Sequence, residues 1–171
     1  MIRIVRGTFV AILTLAIVVA GCGGKPRRGH YEQAGGFSYD PPKGWQITQF
    51  PGLKYRISHG PAEHEFAPNI NVLDESFVGS LAEYVDLNLG KMKDMFTGFT
   101  LLKREDFQTE DGLPGTRLVV EDKQQGRALR QTFCFFSNST RKYVVTCTAL
   151  AEGGESLDGL FAQSMRTFRV H

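Results

Sequence analysis

The chain has 171 residues, 42% of them hydrophobic and 22% charged, with a formal net charge of +2 at pH 7. This length suits a single folded domain, and the near-neutral charge excludes a strongly basic nucleic-acid-binding protein. The first residues have a distinct pattern. Arg3 and Arg6 precede an uncharged, mostly apolar run over 7–24. A basic start followed by a short apolar segment predicts an export signal.

The apolar run leads into Val19-Ala20-Gly21-Cys22. This segment resembles the lipobox of bacterial lipoprotein precursors. The resemblance implies that the signal peptide 1–21 is removed and that Cys22 then carries a diacylglyceryl thioether and an acylated amine, with palmitate-type chains. Two or more acyl chains hold a protein firmly on a membrane. The alternative is a retained transmembrane helix, which needs about 20 apolar residues.

Residues 22–35 are rich in glycine and basic side chains and have no hydrophobic periodicity, which predicts a flexible tether. Lys25, Arg27 and Arg28 would either contact anionic headgroups or only keep the linker soluble. We therefore expect an exported protein in the cell envelope, held to the membrane by its lipid anchor. Gly23 replaces the aspartate that resembles an inner-membrane retention signal, so the outer membrane is preferred over the inner one if the cell has both.

Residues 36–171 predict one domain that begins with short strands. Pro41-Pro42-Lys43-Gly44 forces a turn, and Trp45 is interpreted as a core residue because large aromatic side chains dominate small cores. Alternating apolar residues predict half-buried strands. These strands are expected near 37–39, 45–47, 53–57 and 69–74.

Ser80 and Glu83 have capping-box spacing ahead of an apolar stripe that reaches Phe96, which predicts a helix. Strand patterns follow over 99–107 and 118–120, then a hairpin of 127–136 with 142–150, then a second helix from Ser156. Hairpins outnumber crossover connections. The order therefore predicts an α+β fold, a mostly antiparallel β-sheet covered by helices.

Several of these segments together resemble PsbP-like domains. They are the block from Gly36 to Trp45, Asn69-Ile70-Asn71-Val72 before Ser80-Leu81-Ala82-Glu83-Tyr84, Gly112-Leu113-Pro114-Gly115, and Ser164 before Phe168. The resemblance covers most of 36–171 and includes DcrB-like envelope lipoproteins. It implies an α/β sandwich and a non-enzymatic accessory or protein-binding role, with no catalytic residues and no cofactor.

One loop carries a candidate metal set, namely His59, Glu63, His64 and Glu65. Imidazole and carboxylate groups bind Zn²⁺ and similar ions. The spacing matches no fixed metal motif, so a solvated polar loop is the simpler interpretation.

Cys134 and Cys147 lie on the two strands of the predicted hairpin. Export permits a disulfide, and the register decides whether it can form. If Phe136 faces Val145, the two cysteines face each other. A shift of two residues would move them out of reach along a diagonal, and two buried thiols are then the alternative.

No nucleophile, phosphate-loop or dinucleotide fingerprint is present in the sequence. The first hypothesis is a non-catalytic, membrane-anchored envelope lipoprotein that binds another envelope protein. The second is a domain that binds a small molecule or metal ion in a cleft between the sheet and the Ser80 helix. We expect no enzymatic activity and no nucleic-acid partner.

Overall fold

The structure is a computed structural model that describes residues 29–62, 65–139 and 141–171. The predicted signal peptide, Cys22 and the first part of the tether lie outside the described residues. The strands and helices, numbered in chain order, are β1 His30–Glu32, β2 Phe37–Tyr39, β3 Gln46–Thr48, β4 Ile57–His59, β5 Asn69–Glu75, α1 Leu81–Met95, β6 Thr97–Gln108, β7 Pro114–Gln124, β8 Arg127–Ser137, β9 Lys142–Leu150, α2 Asp158–Arg166 and β10 Arg169–Val170.

Two antiparallel sheets form the scaffold. The large one has seven strands in the order β3-β4-β5-β9-β8-β7-β6, and the small one has three in the order β1-β2-β10. Consecutive strands from β6 to β9 are joined as hairpins, as the turn residues predicted. The expected α+β class with a mostly antiparallel sheet is confirmed.

The central strands β8 and β9 are buried on both faces, which explains why the Phe133–Phe136 segment of β8 is apolar without interruption. Phe133 and Phe135 pack on the side of α1, while Cys134 and Phe136 pack on the opposite side with α2. Successive residues of a strand point to opposite faces. A strand covered on both faces therefore loses the alternation of polar and apolar residues.

Helix α1 covers one face. Ser80 is its N-cap, and the capping box with Glu83 is complete, since each group bonds the other's backbone N–H. Its buried stripe includes Asn88, whose amide donates to the Tyr84 carbonyl at 2.8 Å. Asn88 is therefore a buried amide whose side chain has a backbone partner.

Helix α2 and the small sheet cover the other face. The Phe168 ring stacks between Phe136 and Phe37, with centroid distances of 4.7 and 5.7 Å. Such stacked pairs add to the free energy gained from burial. These ring contacts fix the β1-β2-β10 sheet to the core. Within the part of the chain that the structure describes, no helix has the length and apolar character of a membrane span.

The structure corrects two predicted elements. Residues 53–56 form irregular backbone instead of a strand, and only Ile57–His59 pairs as β4. The predicted tether ends earlier than residue 35, because His30–Glu32 forms β1 and pairs with β2. His30 is buried, and its Nδ1 lies 3.1 Å from the Tyr39 hydroxyl. The three residues of β1 are too few to show an alternating apolar pattern, so the sequence did not predict this strand.

Candidate binding site

A tight turn places Trp45 at one end of the large sheet. The backbone N–H of Trp45 donates to the Pro42 carbonyl at 3.1 Å, and Gly44 has φ +86°. A type II turn needs positive φ at its third residue, which glycine adopts without steric cost. The Pro-Lys-Gly sequence therefore fixes where the indole leaves the backbone.

Trp45 is half-buried, and its ring contacts two neighbours. The Phe161 ring of α2 meets it edge-on, with centroids 6.0 Å apart and planes at 88°. Gly60 also lies against the indole. The interpretation of Trp45 as a core residue is confirmed only in part, because the indole packs on the core and also lines open clefts.

Two clefts meet at Trp45. The first has a cavity volume of about 390 Å³ and is lined by residues 43–46 and 59–62. The second, of about 370 Å³, shares Trp45 and Pro61. It is otherwise lined by a larger set from the loops at this end of the sheet, namely Phe66, Pro68, Ala149, Leu150, Glu152, Gly153, Gly154, Ser156 and Leu157. We call these two cavities together the Trp45 clefts.

The wall of the second cleft is held by Arg130. Its guanidinium makes two hydrogen bonds to Asp158 of α2, at 3.0 and 2.7 Å, and one to Glu121 at 2.9 Å. Paired Arg–carboxylate bonds fix geometry as well as charge. Gly154 packs on the Arg130 side chain, where an added Cβ would meet the Arg130 Cβ at 3.2 Å. The loop before α2 is therefore positioned rigidly.

The Trp45 clefts combine an aromatic ring, prolines and aliphatic side chains with the polar side chains of Lys43, Gln46, His59, Glu152 and Ser156. Ser156 donates its hydroxyl to the Gly153 carbonyl at 2.7 Å. A partly exposed tryptophan beside other apolar side chains is typical of the residues that dominate binding free energy at protein interfaces. No local sequence pattern indicated Pro61, Phe66 or Pro68 as lining residues, because only the fold brings these loops together.

The predicted metal residues are placed as follows. His59 is buried; its Nδ1–H donates to the Gly60 carbonyl and its Nε2 accepts from the Thr48 hydroxyl, both at 3.1 Å. Glu65 is exposed and lies 3.7 Å from Arg127. Glu63 and His64 lie outside the described residues. Within 29–62, 65–139 and 141–171, no three His, Cys, Asp or Glu side chains are grouped to hold a metal.

The register of the hairpin differs from the one that a disulfide requires. Phe136 pairs with Tyr143, so Cys134 faces Val145 and Cys147 faces Thr132. The two cysteines share a face but lie on a diagonal, and both are free thiols. The candidate disulfide is therefore not formed, because the two-residue shift moves the sulfurs apart. Burial raises the pKa of the Cys134 thiol to about 12 and also raises that of Cys147.

The predicted ligand cleft between the sheet and α1 is filled by side chains. Tyr84, Val85, Leu89 and Met92 of α1 pack directly on apolar residues of β7, β8 and β9. The second hypothesis therefore needs a different location. The Trp45 clefts, at the end of the sheet, supply one.

Two buried polar groups lie apart from these clefts. The Asp74 carboxylate, with 3% of its side chain exposed, pairs with Lys54 and Arg141 and accepts from the Tyr55 hydroxyl at 2.7 Å. Asp122, on β7, is 2% exposed, and its oxygens meet no well-aligned donor. Burial raises the pKa of Asp122 to about 6, with a partial offset from its neighbour Gln124.

The sequence matches no family model and no curated protein. Solved structures, however, share the fold. One is cyanobacterial PsbP (CyanoP) from Synechocystis, 13% identical, with a TM-score of 0.62 over 90% of this chain and 99% of that one.

Two further structures are similar. LpqN, described as involved in cell envelope biogenesis of Mycobacterium tuberculosis, is 13% identical with a TM-score of 0.61 over 78% of this chain and 82% of its own. The Saccharomyces cerevisiae Ran-binding protein Mog1p is 12% identical with a TM-score of 0.59, over 84% and 94%. At these identities the similarity shows the fold alone. The expected PsbP-like fold is confirmed.

Proposed function

We propose that this protein is a non-catalytic, lipid-anchored accessory protein of the cell envelope, and that its PsbP-like domain binds a protein partner at the Trp45 clefts. The observation that carries the proposal is the half-exposed indole that lines two open clefts of mixed polar and apolar character. Trp45 is already held by Phe161 and by the Gly60 loop. Binding of a partner over the indole would therefore cost little side-chain entropy, because the ring is already restricted in the free protein.

The structural neighbours are compatible with this role. LpqN is described as acting in envelope biogenesis, and Mog1p is named for binding a protein. The envelope location rests on the signal peptide 1–21 and on lipidated Cys22, with the outer membrane preferred. Metabolic labelling with a fatty-acid analogue tests it, because Cys22→Ser should abolish both labelling and membrane retention.

Crosslinking in membranes tests the binding site. The full-length protein, carrying a photoreactive residue in place of Lys43 at the rim of the first cleft, is crosslinked in cells and recovered. We expect one dominant adduct, at least several-fold weaker in a Trp45→Ala background. The matched control is Val78→Ala, which truncates a fully exposed apolar side chain outside the clefts. Equal adduct yield in both backgrounds, or no adduct with the wild-type chain, would contradict the proposal.

A second candidate uses the same clefts for a small apolar ligand. Their volumes, about 390 and 370 Å³, fall within the range of small-molecule sites. A ligand that binds only the native state raises the melting temperature. A thermal-shift screen of apolar metabolites should then give hits that Trp45→Ala removes and Val78→Ala retains. Hits that both variants retain would place the ligand elsewhere.

A further inference from the structure

The large sheet has two edge strands, β3 and β6, and their sequences differ in character. β6 has 12 residues, two register shifts in its pairing with β7, and four successive charged residues, Lys103-Arg104-Glu105-Asp106. Bulges and charged side chains are features that keep an edge strand from pairing with another chain. β3 has the sequence Gln-Ile-Thr, without charge, and it pairs with β4 without a register shift. β3 therefore lacks both of these protections.

The neighbouring strands show which way the backbone of β4 faces. The Gly60 N–H, just after β4, donates to the Pro68 carbonyl, just before β5, at 2.8 Å. In an antiparallel pair, hydrogen-bonded and non-hydrogen-bonded residue pairs alternate. Two residues back along β4, Ser58 pairs with Ile70 of β5. Ser58 therefore turns its own N–H and C=O toward β5.

This arrangement leaves Ile47 with free backbone groups. Ile47 pairs with Ser58 in the β3–β4 ladder, whereas Gln46 and Thr48 pair with the residues on either side of Ser58. Because Ser58 bonds to β5, the bonds between β3 and β4 are made by Gln46 and Thr48. The N–H and C=O of Ile47 then point away from β4. Within the described part of the chain, no hydrogen bond reaches them.

The free edge lies beside the Trp45 clefts. Trp45 immediately precedes β3 and lines both clefts, and Gln46 of β3 lines the first one. A segment that pairs with Ile47 would therefore pass next to the first cleft. Recognition by strand addition combines main-chain hydrogen bonds, which give affinity, with pockets for side chains, which give specificity. Both elements are present at this edge.

We propose that an extended segment of the partner protein adds a strand to the β3 edge, with its backbone bonded to the N–H and C=O of Ile47 and an apolar side chain in the first Trp45 cleft. This inference rests on the proposed function and specifies its mode of recognition. β3 has only three residues, so the added strand is short and the Trp45 indole supplies the rest of the affinity. The partner residue that bonds Ile47 is not proline, which has no N–H to donate.

Crosslinking in cells tests the role of the Ile47 backbone. The full-length protein carries the photoreactive residue at position 43, with Ile47→Pro as the test and Ile47→Ala as the matched control. Proline removes the outward N–H and leaves the bonds to β4, a position at which edge strands tolerate it. Alanine also loses the isoleucine side chain but keeps the N–H. We expect about fivefold less adduct with Ile47→Pro than with Ile47→Ala, the effect of one lost hydrogen bond.

A second measurement needs no proline and decides the case if Ile47→Pro fails to fold. Gln49 is exposed, lies one residue beyond β3 and lines neither Trp45 cleft. Lys103 is exposed on the opposite edge strand, β6. A photoreactive residue at position 49 should give the same adduct as position 43, and one at position 103 should give none.

The outcomes separate this inference from the proposed function. Equal adduct yields with Ile47→Pro and Ile47→Ala, no adduct from residue 49, or an equal adduct from residue 103 would overturn strand addition alone, provided that Trp45→Ala still weakens the adduct from residue 43. An adduct with a second copy of this chain would also overturn it, because the edge would then serve self-association. No adduct from residue 43 in the wild-type chain would overturn the proposed function and, with it, this inference.

Discussion

Gly60 lies against the Trp45 indole, so close that a Cβ at residue 60 would stand 3.0 Å from Cε2 and 3.1 Å from Nε1. The same atom would lie 3.2 Å from Cγ of Pro68. Glycine at this position therefore serves to admit the indole, and the Trp45 clefts depend on it. The backbone there needs no positive φ, so the effect of a substitution reports on space alone.

Gly60→Ala should move the indole and lower the free energy of unfolding by about 1 kcal/mol, because overfilled sites force neighbours to shift. Trp45 is the only tryptophan, so the fluorescence emission of the native protein reports the movement directly. The same variant should weaken crosslinking through the clefts.

The control is Gly90→Ala on the exposed face of α1, where an added Cβ meets nothing within 4 Å. Alanine is favoured over glycine inside helices by about 1 kcal/mol. We expect Gly90→Ala to raise the free energy of unfolding and to leave the emission spectrum unchanged. A Gly60→Ala protein with native stability and emission spectrum would contradict the prediction, since it would show that the loop accommodates the added methyl group without moving the indole.

Local patterns were sufficient for much of the fold. The Ser80–Glu83 pair located the start of α1, and the turn residues between 108 and 114 and after 124 separated β6, β7 and β8. These signals act within a few residues and depend on backbone chemistry. They therefore survive without knowledge of tertiary contacts.

Features that depend on long-range contacts could not be predicted from local sequence patterns. The 53–57 segment alternates like a strand, yet Tyr55 reaches Asp74 from irregular backbone, so its burial has another origin. The hairpin register depends on the whole face of the sheet, and the apolar run Phe133–Phe136 fits several registers equally well. The Trp45 clefts gather three loops, and no short pattern encodes their meeting.

Asp122 should make stability depend on pH. Its ordinary pKa of 3.8 applies to the unfolded chain, and burial raises the folded value to about 6. Between these values the folded state binds more protons than the unfolded state. The contribution of Asp122 to stability therefore falls as pH rises from about 4 to about 6, and the cost of the buried charge is complete above that range.

Asp122→Asn removes that charge at nearly constant volume. We expect it to raise the free energy of unfolding near neutral pH by about 2 kcal/mol and to change it little near pH 4. Urea unfolding at both pH values measures the difference. The matched control, Asp86→Asn, changes an exposed carboxylate paired with Arg104 and should have less than about 0.5 kcal/mol of effect. A penalty for Asp122→Asn near neutral pH would show that the carboxylate has a stabilising partner.

Asp74 joins three segments, since it binds Lys54, Tyr55 and Arg141 at once. Asp74→Asn should lower the free energy of unfolding by about 1–3 kcal/mol. The substitution removes the negative charge that pairs with Lys54 and Arg141, and the Tyr55 hydroxyl loses a charged acceptor. The cations are half-exposed, so water compensates part of the loss. Chemical denaturation measures it.

Asp111→Asn is the control for a surface pair. Asp111 binds Arg169 where both side chains are about half exposed. Such pairs contribute at most about 1 kcal/mol. If Asp74→Asn and Asp111→Asn lower the free energy of unfolding by the same small amount, the buried Asp74 carboxylate contributes no more than a surface ion pair.

The two hairpin cysteines should be unreactive in the native state and should need no reductant to react once the chain unfolds. Their burial raises the pKa of both thiols, to about 12 for Cys134, so little thiolate exists at neutral pH. The thiolate is the species that attacks alkylating reagents. Mass spectrometry of the full-length protein, alkylated with and without denaturant, should therefore show no added group at Cys134 or Cys147 when folded and one on each when unfolded. If labelling of the unfolded chain required prior reduction, the two strands would have to pair in the register that sets Phe136 opposite Val145, and the observed pairing of Phe136 with Tyr143 would be wrong.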